Sequence, residues 1–170
     1  MKVAYRCIAG LPALAWIAIV DGLNVEVIHG CHVETRDSFF VEGAWNGEFA
    51  SGSFTEVNWF CGTGAIWKEM QIVFSTPTHV THGLFYAYEN QKYYVSNSAY
   101  LLTSYVGYSL DSEYAGYEID FNSIRKGLNH YQKKIRVLMG NEQKYIHVIY
   151  FSDLEIFPDG TSAVRTLIFF

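Results

Sequence analysis

Residues 81–102 read THGLFYAYENQKYYVSNSAYLL, and this stretch decides the fold. Two aromatic-rich runs flank the polar triplet Glu89-Asn90-Gln91, which is the pattern of a β-hairpin. Ser96-Asn97-Ser98 then supplies side chains that cap helix N termini, directly before an amphipathic run that reaches Val106. The stretch therefore predicts a strand, a turn, a strand and a short helix. We expect five of its side chains to be largely buried: Leu84, Tyr86, Val95, Leu101 and Leu102.

Strand patterns dominate the rest of the chain. Apolar runs or alternating residues predict strands over residues 13–20, 24–28, 39–41, 65–75, 145–151, 154–157 and 163–170. We expect the strands at 145–151 and 154–157 to pair, with a turn at Pro158-Asp159-Gly160 after them. The apolar strand at 163–170 is expected to be central in a sheet or covered by a neighbour. Glycines alternate with aromatic residues between Gly43 and Gly64, which predicts tight turns and close backbone approach.

A second helix is predicted after Asp120, which would cap it. Apolar residues recur there at helical spacing, namely Phe121, Ile124 and Leu128, and Tyr131 and Ile135 continue the stripe if the helix extends past Gly127. Strands nevertheless outnumber helices, so the predicted class is α+β, a β-rich two-layer sheet sandwich with one to three short helices outside it. Because the chain has 170 residues, we expect residues 1–170 to form a single domain.

Composition limits the classes of partner. Only 17% of the residues are charged and the formal net charge is −5, so we expect no nucleic-acid partner. Four basic residues are interpreted as a solvated face: Lys126, Lys133, Lys134 and Arg136. The apolar run at residues 7–20 is shorter than a bilayer-spanning helix and contains Pro12. We expect a core strand there rather than a signal peptide, and no membrane partner.

The chain contains three cysteines, Cys7, Cys31 and Cys61. Three thiols cannot all pair within one molecule, and their spacing is not that of a CxxC motif. We therefore expect a reducing compartment and a cytoplasmic location.

Residue types that bind metals form two groups, His29 with Cys31 and His32, and His79 with His82. Cys61 lies apart from both groups. Zinc takes such ligands, but residues 29 and 31 of a strand share a face from which residue 32 points away. No HExxH motif or pair of CxxC motifs adds ligands. We predict no metal and no cofactor, and we interpret the histidines as exposed or hydrogen-bonded.

Five short motifs occur in a characteristic order: Cys7-Ile8-Ala9-Gly10, Asn46-Gly47-Glu48, Gly83-Leu84-Phe85-Tyr86, Val95-Ser96-Asn97-Ser98 and Ile124-Arg125-Lys126-Gly127-Leu128. In this order they resemble the N-terminal glutaminase domain of asparagine synthetase-like proteins, which are class II glutamine amidotransferases with the Ntn fold. The resemblance implies that fold here. It also implies that residues 1–170 are the N-terminal module of a longer protein.

The resemblance further implies an active site. In the family, an N-terminal cysteine attacks the glutamine amide and its own α-amine is the base. Cys7 would be this nucleophile, and Asn46 and Gly47 would stabilise the oxyanion. Six residues precede Cys7, so its nitrogen lies in a peptide bond and the base is missing. An Arg-Gly-Pro-Asp segment to hold the substrate carboxylate is also missing from the sequence, so we expect a degenerate site without catalytic activity.

Tyrosines are concentrated in the second half of the chain, with nine between Tyr86 and Tyr117. Tyrosine is favoured at contact surfaces because it combines apolar area with a polar hydroxyl. Four residues of the hairpin stretch are the candidate binding residues: Tyr86, Tyr94, Ser96 and Asn97.

Three functions follow as expectations. The first is a non-catalytic glutaminase-like domain that acts as a scaffold or docking module for an ATP-pyrophosphatase-like partner domain or subunit. The second is an active glutamine amidotransferase, formed when residues 1–6 are removed and Cys7 becomes the nucleophile. The third is a tyrosine-rich binding module for a small ligand or a protein partner.

Overall fold

Strands predominate in the computed structural model, which describes residues 2–167. The strands are β1 (Lys2–Cys7), β2 (Trp16–Asp21), β3 (Asn24–His29), β4 (Glu34–Thr35), β5 (Phe39–Trp45), β6 (Phe60–Lys68), β7 (Gln71–Ser75), β8 (Leu84–Glu89), β9 (Lys92–Ser96), β10 (Lys134–Met139), β11 (Glu142–Ile149), β12 (Ser152–Ile156) and β13 (Ser162–Thr166). The helices are α1 (Ala99–Val106) and α2 (Tyr117–Phe121), and the 3-10 turns are Phe49–Ser51, Ser53–Thr55 and Ser123–Lys126.

The strands form two sheets. The first sheet has seven strands in the order β1-β3-β2-β9-β8-β11-β10, and the second has six in the order β13-β12-β7-β6-β5-β4. Strands β1 and β3 are parallel, and the other neighbours in both sheets are antiparallel. This architecture confirms the predicted α+β class with a β-rich sandwich and few, short helices.

The main core lies between the two sheets. Trp16 is fully buried there, with its ring 4.7 Å from that of Phe40 and 6.2 Å from that of Phe74, both on the second sheet. On β2, Trp16 and Ala18 belong to this core, whereas Ile17 belongs to the core on the outer face. Because β2 is buried on both faces, its sequence is a continuous apolar run rather than an alternating one.

The stretch at 81–102 folds as its sequence predicts. Strands β8 and β9 form a hairpin whose turn residues Asn90 and Gln91 have φ of 51° and 63°, as two-residue hairpin turns require. Helix α1 follows, and the Ser98 hydroxyl accepts a hydrogen bond from the amide of Leu101. Four of the five expected core residues are buried, namely Leu84, Val95, Leu101 and Leu102, whereas Tyr86 is only partly buried.

The outer face of the second sheet is covered by the glycine- and aromatic-rich segment. A cluster of five aromatic or aliphatic residues lies there: Phe39, Val41, Trp45, Phe54 and Phe60. Gly43 and Gly62 are partners in adjacent strands with φ of 143° and 150°, and a Cβ added at Gly62 would lie 2.6 Å from the Gly43 Cα. The expected turns and close backbone approach are therefore present.

Several strand boundaries differ from the prediction. Strand β2 begins at Trp16, because residues 12–15 form a turn in which the Ala15 amide donates to the Pro12 carbonyl. The stretch 65–75 is two strands, β6 and β7, joined by a turn at 69–70, because Gly64 to Lys68 pair with Gln71 to Ser75. The strand predicted at 39–41 extends to Trp45.

The prediction of a helix that begins after Asp120 is wrong. Asp120 lies inside α2, the following 3-10 turn ends at Lys126, and Gly127 then adopts a φ of 91° that terminates it. Ile135 lies on β10, where it pairs with Ile146. The helical spacing of these apolar residues is a coincidence, because the last of them, Ile135, belongs to a strand.

The predicted pairing of 145–151 with 154–157 is also wrong. Strand β11 pairs with β8 and β10 in the first sheet, whereas β12 pairs with β7 and β13 in the second. The chain changes sheets at residues 150–151, where Phe151 has a φ of 51°. The turn at 158–160 joins β12 to β13, which is an exposed edge strand rather than a central one. Residues 168–170 of the strand predicted at 163–170 lie outside the described residues.

Candidate functional site

The residues implied as catalytic lie on different sheets. Cys7 is exposed at the end of β1, on one edge of the first sheet. Asn46 and Gly47 follow β5 of the second sheet, where the Asn46 side-chain amide donates to Asn58 Oδ1 at 2.9 Å. Within residues 2–167, no hydrogen bond joins Cys7 to this loop. Asn46 therefore has a partner in its own loop.

Ser96 and Asn97 hold two strands together. The Ser96 hydroxyl donates to the Trp16 carbonyl at 2.6 Å, and Asn97 Oδ1 accepts from the Trp16 amide at 3.0 Å. The Asn97 amide also donates to the Leu14 carbonyl at 2.9 Å. These bonds fix the end of β9 against the beginning of β2, so the polar atoms of both side chains are used within the fold.

Tyr86 and Tyr94 lie on neighbouring strands but on opposite faces. Tyr94 pairs with Ala87, the residue after Tyr86, and packs against the core beneath α1. Tyr86 packs against the core between the sheets. The two tyrosines therefore do not share a binding surface.

Tyr86 instead lines a cavity of about 340 Å³. The cavity is lined by residues of three parts of the chain. These are the neighbouring strands β8 and β11 of the first sheet, the segment 128–134, and the edge strand β13 of the second sheet. Its lining includes two basic side chains and four aromatic ones with polar groups: Lys133, Lys134, Tyr86, Tyr131, His147 and Tyr150. This volume is within the range of about 300–1,000 Å³ typical of small-molecule sites.

Aromatic rings form the apolar part of this cavity. Tyr86 and His147 are partners in adjacent strands, and their rings are stacked with centroids 4.7 Å apart. Tyr131 and Tyr150 meet edge to face at 5.2 Å. The Lys133 ammonium lies 5.9 Å from the centre of the Tyr131 ring. These contacts fix the rings in place without a bound ligand.

The cavity is electrostatically positive although the chain as a whole is negative. Lys133 and Lys134 line it, and none of the described residues around it is an aspartate or a glutamate. Burial raises the pKa of Tyr86, Tyr131 and Tyr150, so their phenols remain neutral hydrogen-bond donors. Burial, together with the charge of Lys134, lowers the pKa of His147, so its imidazole is neutral at neutral pH. The arrangement suits an anionic ligand.

Sequence reasoning found Tyr86 but missed the rest of this site. The basic cluster predicts a solvated face, and Lys133 and Lys134 are indeed exposed, but the sequence does not indicate that both line a cavity at the start of β10. The sequence does offer a signal for His147 as a site residue. It is a histidine between two apolar residues, Ile146 and Val148, in the alternating run of β11. Tyr131 and Tyr150 meet only because Tyr131 packs beside β11, where its hydroxyl donates to the Val148 carbonyl at 3.4 Å.

The histidines and cysteines do not form a metal centre in the part of the chain that the structure describes, where no group of three or more His, Cys, Asp or Glu side chains could hold a metal ion. His29 is buried, and its Nδ1 is 2.8 Å from the Gly30 carbonyl oxygen. His79 and His82 lie near each other, with ring centroids 5.8 Å apart.

The chain matches no protein-family model, and neither curated proteins nor solved structures give a significant match. Among the helices within residues 2–167, none is both long and apolar enough to cross a membrane.

Proposed function

We propose that this protein is a binding module for a small aromatic acid, that is, a planar ring bearing a carboxylate or phosphate group. The supporting observation is one cavity that combines two lysines, three neutral tyrosines and a stacked histidine with no acidic residue among those described around it. The anionic group would lie near Lys133 and Lys134, where Coulomb attraction and ammonium donors stabilise it. The ring would pack against the aromatic side chains.

The test compares a charged probe with its neutral counterpart. We expect calorimetric titration to show 2-naphthoate binding on the order of tenfold more tightly than 2-naphthamide, because only the acid can pair with the lysines. The double variant Lys133→Glu with Lys134→Glu should lose this preference. The matched control is Arg125→Glu with Lys126→Glu, which makes the same charge change at a neighbouring pair that does not line the cavity.

Equal affinity for the acid and the amide would contradict the proposal. So would an unchanged preference in the Lys133/Lys134 variant. A loss of the preference in both double variants would attribute it to overall charge rather than to this cavity, which would also contradict the proposal.

We further propose that the domain is a non-catalytic relative of the glutaminase domain of asparagine synthetase-like proteins. The order of the sequence motifs and the two-sheet sandwich support this. All six residues of β1, Lys2–Cys7, pair with β3, so removing residues 1–6 to free the Cys7 amine would remove most of that strand. This disfavours the active amidotransferase, in which Cys7 would be the nucleophile.

In that role the domain would dock an ATP-pyrophosphatase-like domain or subunit in the cytoplasm, with no nucleic-acid or membrane partner. The free and exposed state of Cys7, Cys31 and Cys61 supports a reducing compartment. Mass spectrometry of the mature protein tests the absence of activity. An N terminus at Cys7, together with its labelling by a glutamine-analogue electrophile, would overturn this proposal and leave the ligand proposal untouched.

A further inference from the structure

A thiol and an imidazole meet on the second sheet, away from the cavity. Cys61 is exposed on β6, and its Sγ lies 3.4 Å from Nε2 of His79. The contact is held by the segment after β7, because the Thr78 amide donates to the Phe60 carbonyl at 2.9 Å and the Phe60 amide donates to the Thr78 hydroxyl at 3.0 Å. These paired bonds fix the segment that carries the histidine beside the strand that carries the cysteine.

The far side of the His79 ring is also held. Its Nδ1 lies 2.7 Å from the Thr81 hydroxyl, which lies 3.1 Å from Nδ1 of His82. The Thr81 amide also donates to His79 Nδ1, at 3.4 Å, so Nδ1 is an acceptor and the single ring proton of the neutral imidazole lies on Nε2. Nε2 therefore donates to the Cys61 sulfur, and a donor in this position stabilises a thiolate.

The charge state of His79 suits this role. Burial, and secondarily the charge of His82, lowers the pKa of His79, so the imidazole is neutral at neutral pH and carries one ring proton. An acidic group also lies on this side of the sheet. Glu42 is the strand partner of Thr63, whose hydroxyl donates to Glu42 Oε1 at 2.6 Å, and Thr63 is two residues from Cys61 on the same face of β6.

We propose that Cys61, with its thiolate stabilised by the Nε2–H of His79, is a site of thiol–disulfide exchange with small disulfides. The thiol proton is lost to water, and the Cys61 thiolate attacks one sulfur of the disulfide. A new bond forms between Cys61 Sγ and that sulfur while the original S–S bond breaks. The departing thiolate takes a proton from water. Cys61 is thereby oxidised to a mixed disulfide, and half of the small disulfide is reduced to a thiol.

The chain supplies its own controls, because all three cysteines are free and exposed. Of the three, only Cys61 has a hydrogen-bond contact to an imidazole among the described residues. Cys31 is followed by His32, so His32→Gln is a matched change beside a thiol that lacks this contact.

The experiment treats the full-length reduced protein with 2-hydroxyethyl disulfide at neutral pH and follows each cysteine by peptide mass mapping. We expect Cys61 to form the mixed disulfide on the order of tenfold faster than Cys7 and Cys31. His79→Gln should bring the Cys61 rate down to theirs, whereas His32→Gln should change no rate. Thr81→Val, which removes the hydroxyl that holds the ring, should slow Cys61 by a smaller factor.

Equal rates at the three cysteines would overturn the proposal. A fast Cys61 that is unaffected by His79→Gln would overturn it as well, because exposure alone would then explain the rate. Since His79 and Cys61 are not core residues, circular dichroism of the variants is expected to match that of the unchanged protein.

Discussion

Asp153 is a buried carboxylate with two polar partners. Its side chain is fully buried, Oδ1 accepts from the Ser75 hydroxyl at 2.7 Å, and Oδ2 lies 2.9 Å from Arg165 Nη2. Burial is the largest influence and raises the pKa of Asp153, while Ser75 and Arg165 oppose this. The folded protein therefore binds this proton more readily than the unfolded chain does.

This predicts a pH dependence of stability that belongs to Asp153. As pH falls from 7 to the raised folded pKa and on toward the unfolded value of about 3.9, uptake of the proton favours the folded state. Urea unfolding should show the wild type gaining free energy of unfolding relative to Asp153→Asn over this interval. The exposed Asp37→Asn is the control and should run parallel to the wild type. Parallel curves for Asp153→Asn would show that burial does not perturb this carboxyl.

Gly62 lies at a position where a side chain would strain the backbone and collide with the neighbouring strand. Its φ of 150° is unfavourable for other residues, and an added Cβ would collide with the Glu42 carbonyl oxygen. Gly62→Ala should therefore lower the free energy of unfolding by about 2–4 kcal/mol, measured by urea denaturation.

Gly10→Ala is the control for this change, because no atom lies within 4 Å of an added Cβ there. It should alter stability by no more than about 0.5 kcal/mol. Similar effects of the two substitutions would mean that strands β5 and β6 can separate without loss of stability.

At the level of elements, helix α1 depends on a single side-chain cap. The Ser98 hydroxyl accepts from the Leu101 amide at 3.2 Å, and Gly107 ends the helix with a φ of 82°. Ser98→Ala should destabilise the protein by about 1 kcal/mol, because one amide of the first turn loses its acceptor. Ser104→Ala on the exposed side of the same helix should cause no loss, since alanine is the better helix former. Thermal unfolding of both variants measures the difference, and an equal loss in both would contradict the cap.

Local signals explain why the elements at 81–102 could be predicted from sequence. The turn residues, the cap and the aromatic alternation all lie within one short stretch, and each points to the same structure. The failures elsewhere are cases in which a local pattern competes with a distant partner. The apolar spacing from Phe121 to Ile135 imitates a helix, but Ile135 is placed by its pairing with Ile146. The sequence predicts that the neighbouring strands β11 and β12 pair with each other. Instead, β11 pairs with β10 and the more distant β8, and β12 pairs with β13 and the more distant β7.

The same reasoning applies to the candidate sites. Tyr86 could be singled out because it lies in the well-predicted hairpin. His147 joins it only through the pairing of β11 with β8, a contact that no local pattern specifies. Cys61 and His79 are 18 residues apart and meet through the bonds between Phe60 and Thr78. A sequence alone lists such residues without saying which of them touch.

On the scale of the whole molecule, the two sheets share one core. Residues of both sheets contribute to it, among them Trp16 and Val95 from the first and Phe74 and Leu154 from the second. Neither sheet can bury its inner face without the other, so we expect a single cooperative unfolding transition. Tryptophan fluorescence, which reports on Trp16 of the first sheet together with Trp45, Trp59 and Trp67 on or beside the second, and far-ultraviolet circular dichroism should give the same midpoint in urea. Separate midpoints would indicate that one sheet survives the loss of the other.

The alternation of the chain between the sheets has a consequence for biosynthesis. Strands β1–β3 belong to the first sheet, β4–β7 to the second, β8–β11 to the first and β12–β13 to the second. Within each sheet, hydrogen bonds join strands that are far apart in sequence. The bond between Ser96 and Trp16 spans 80 residues, and the bond between Ser75 and Asp153 spans 78. A nascent chain that has emerged from the ribosome only as far as β7 holds two unfinished sheets with open apolar faces. Strands β8 to β13 complete both, so the domain reaches its native pairing only when nearly all of the described chain has been translated.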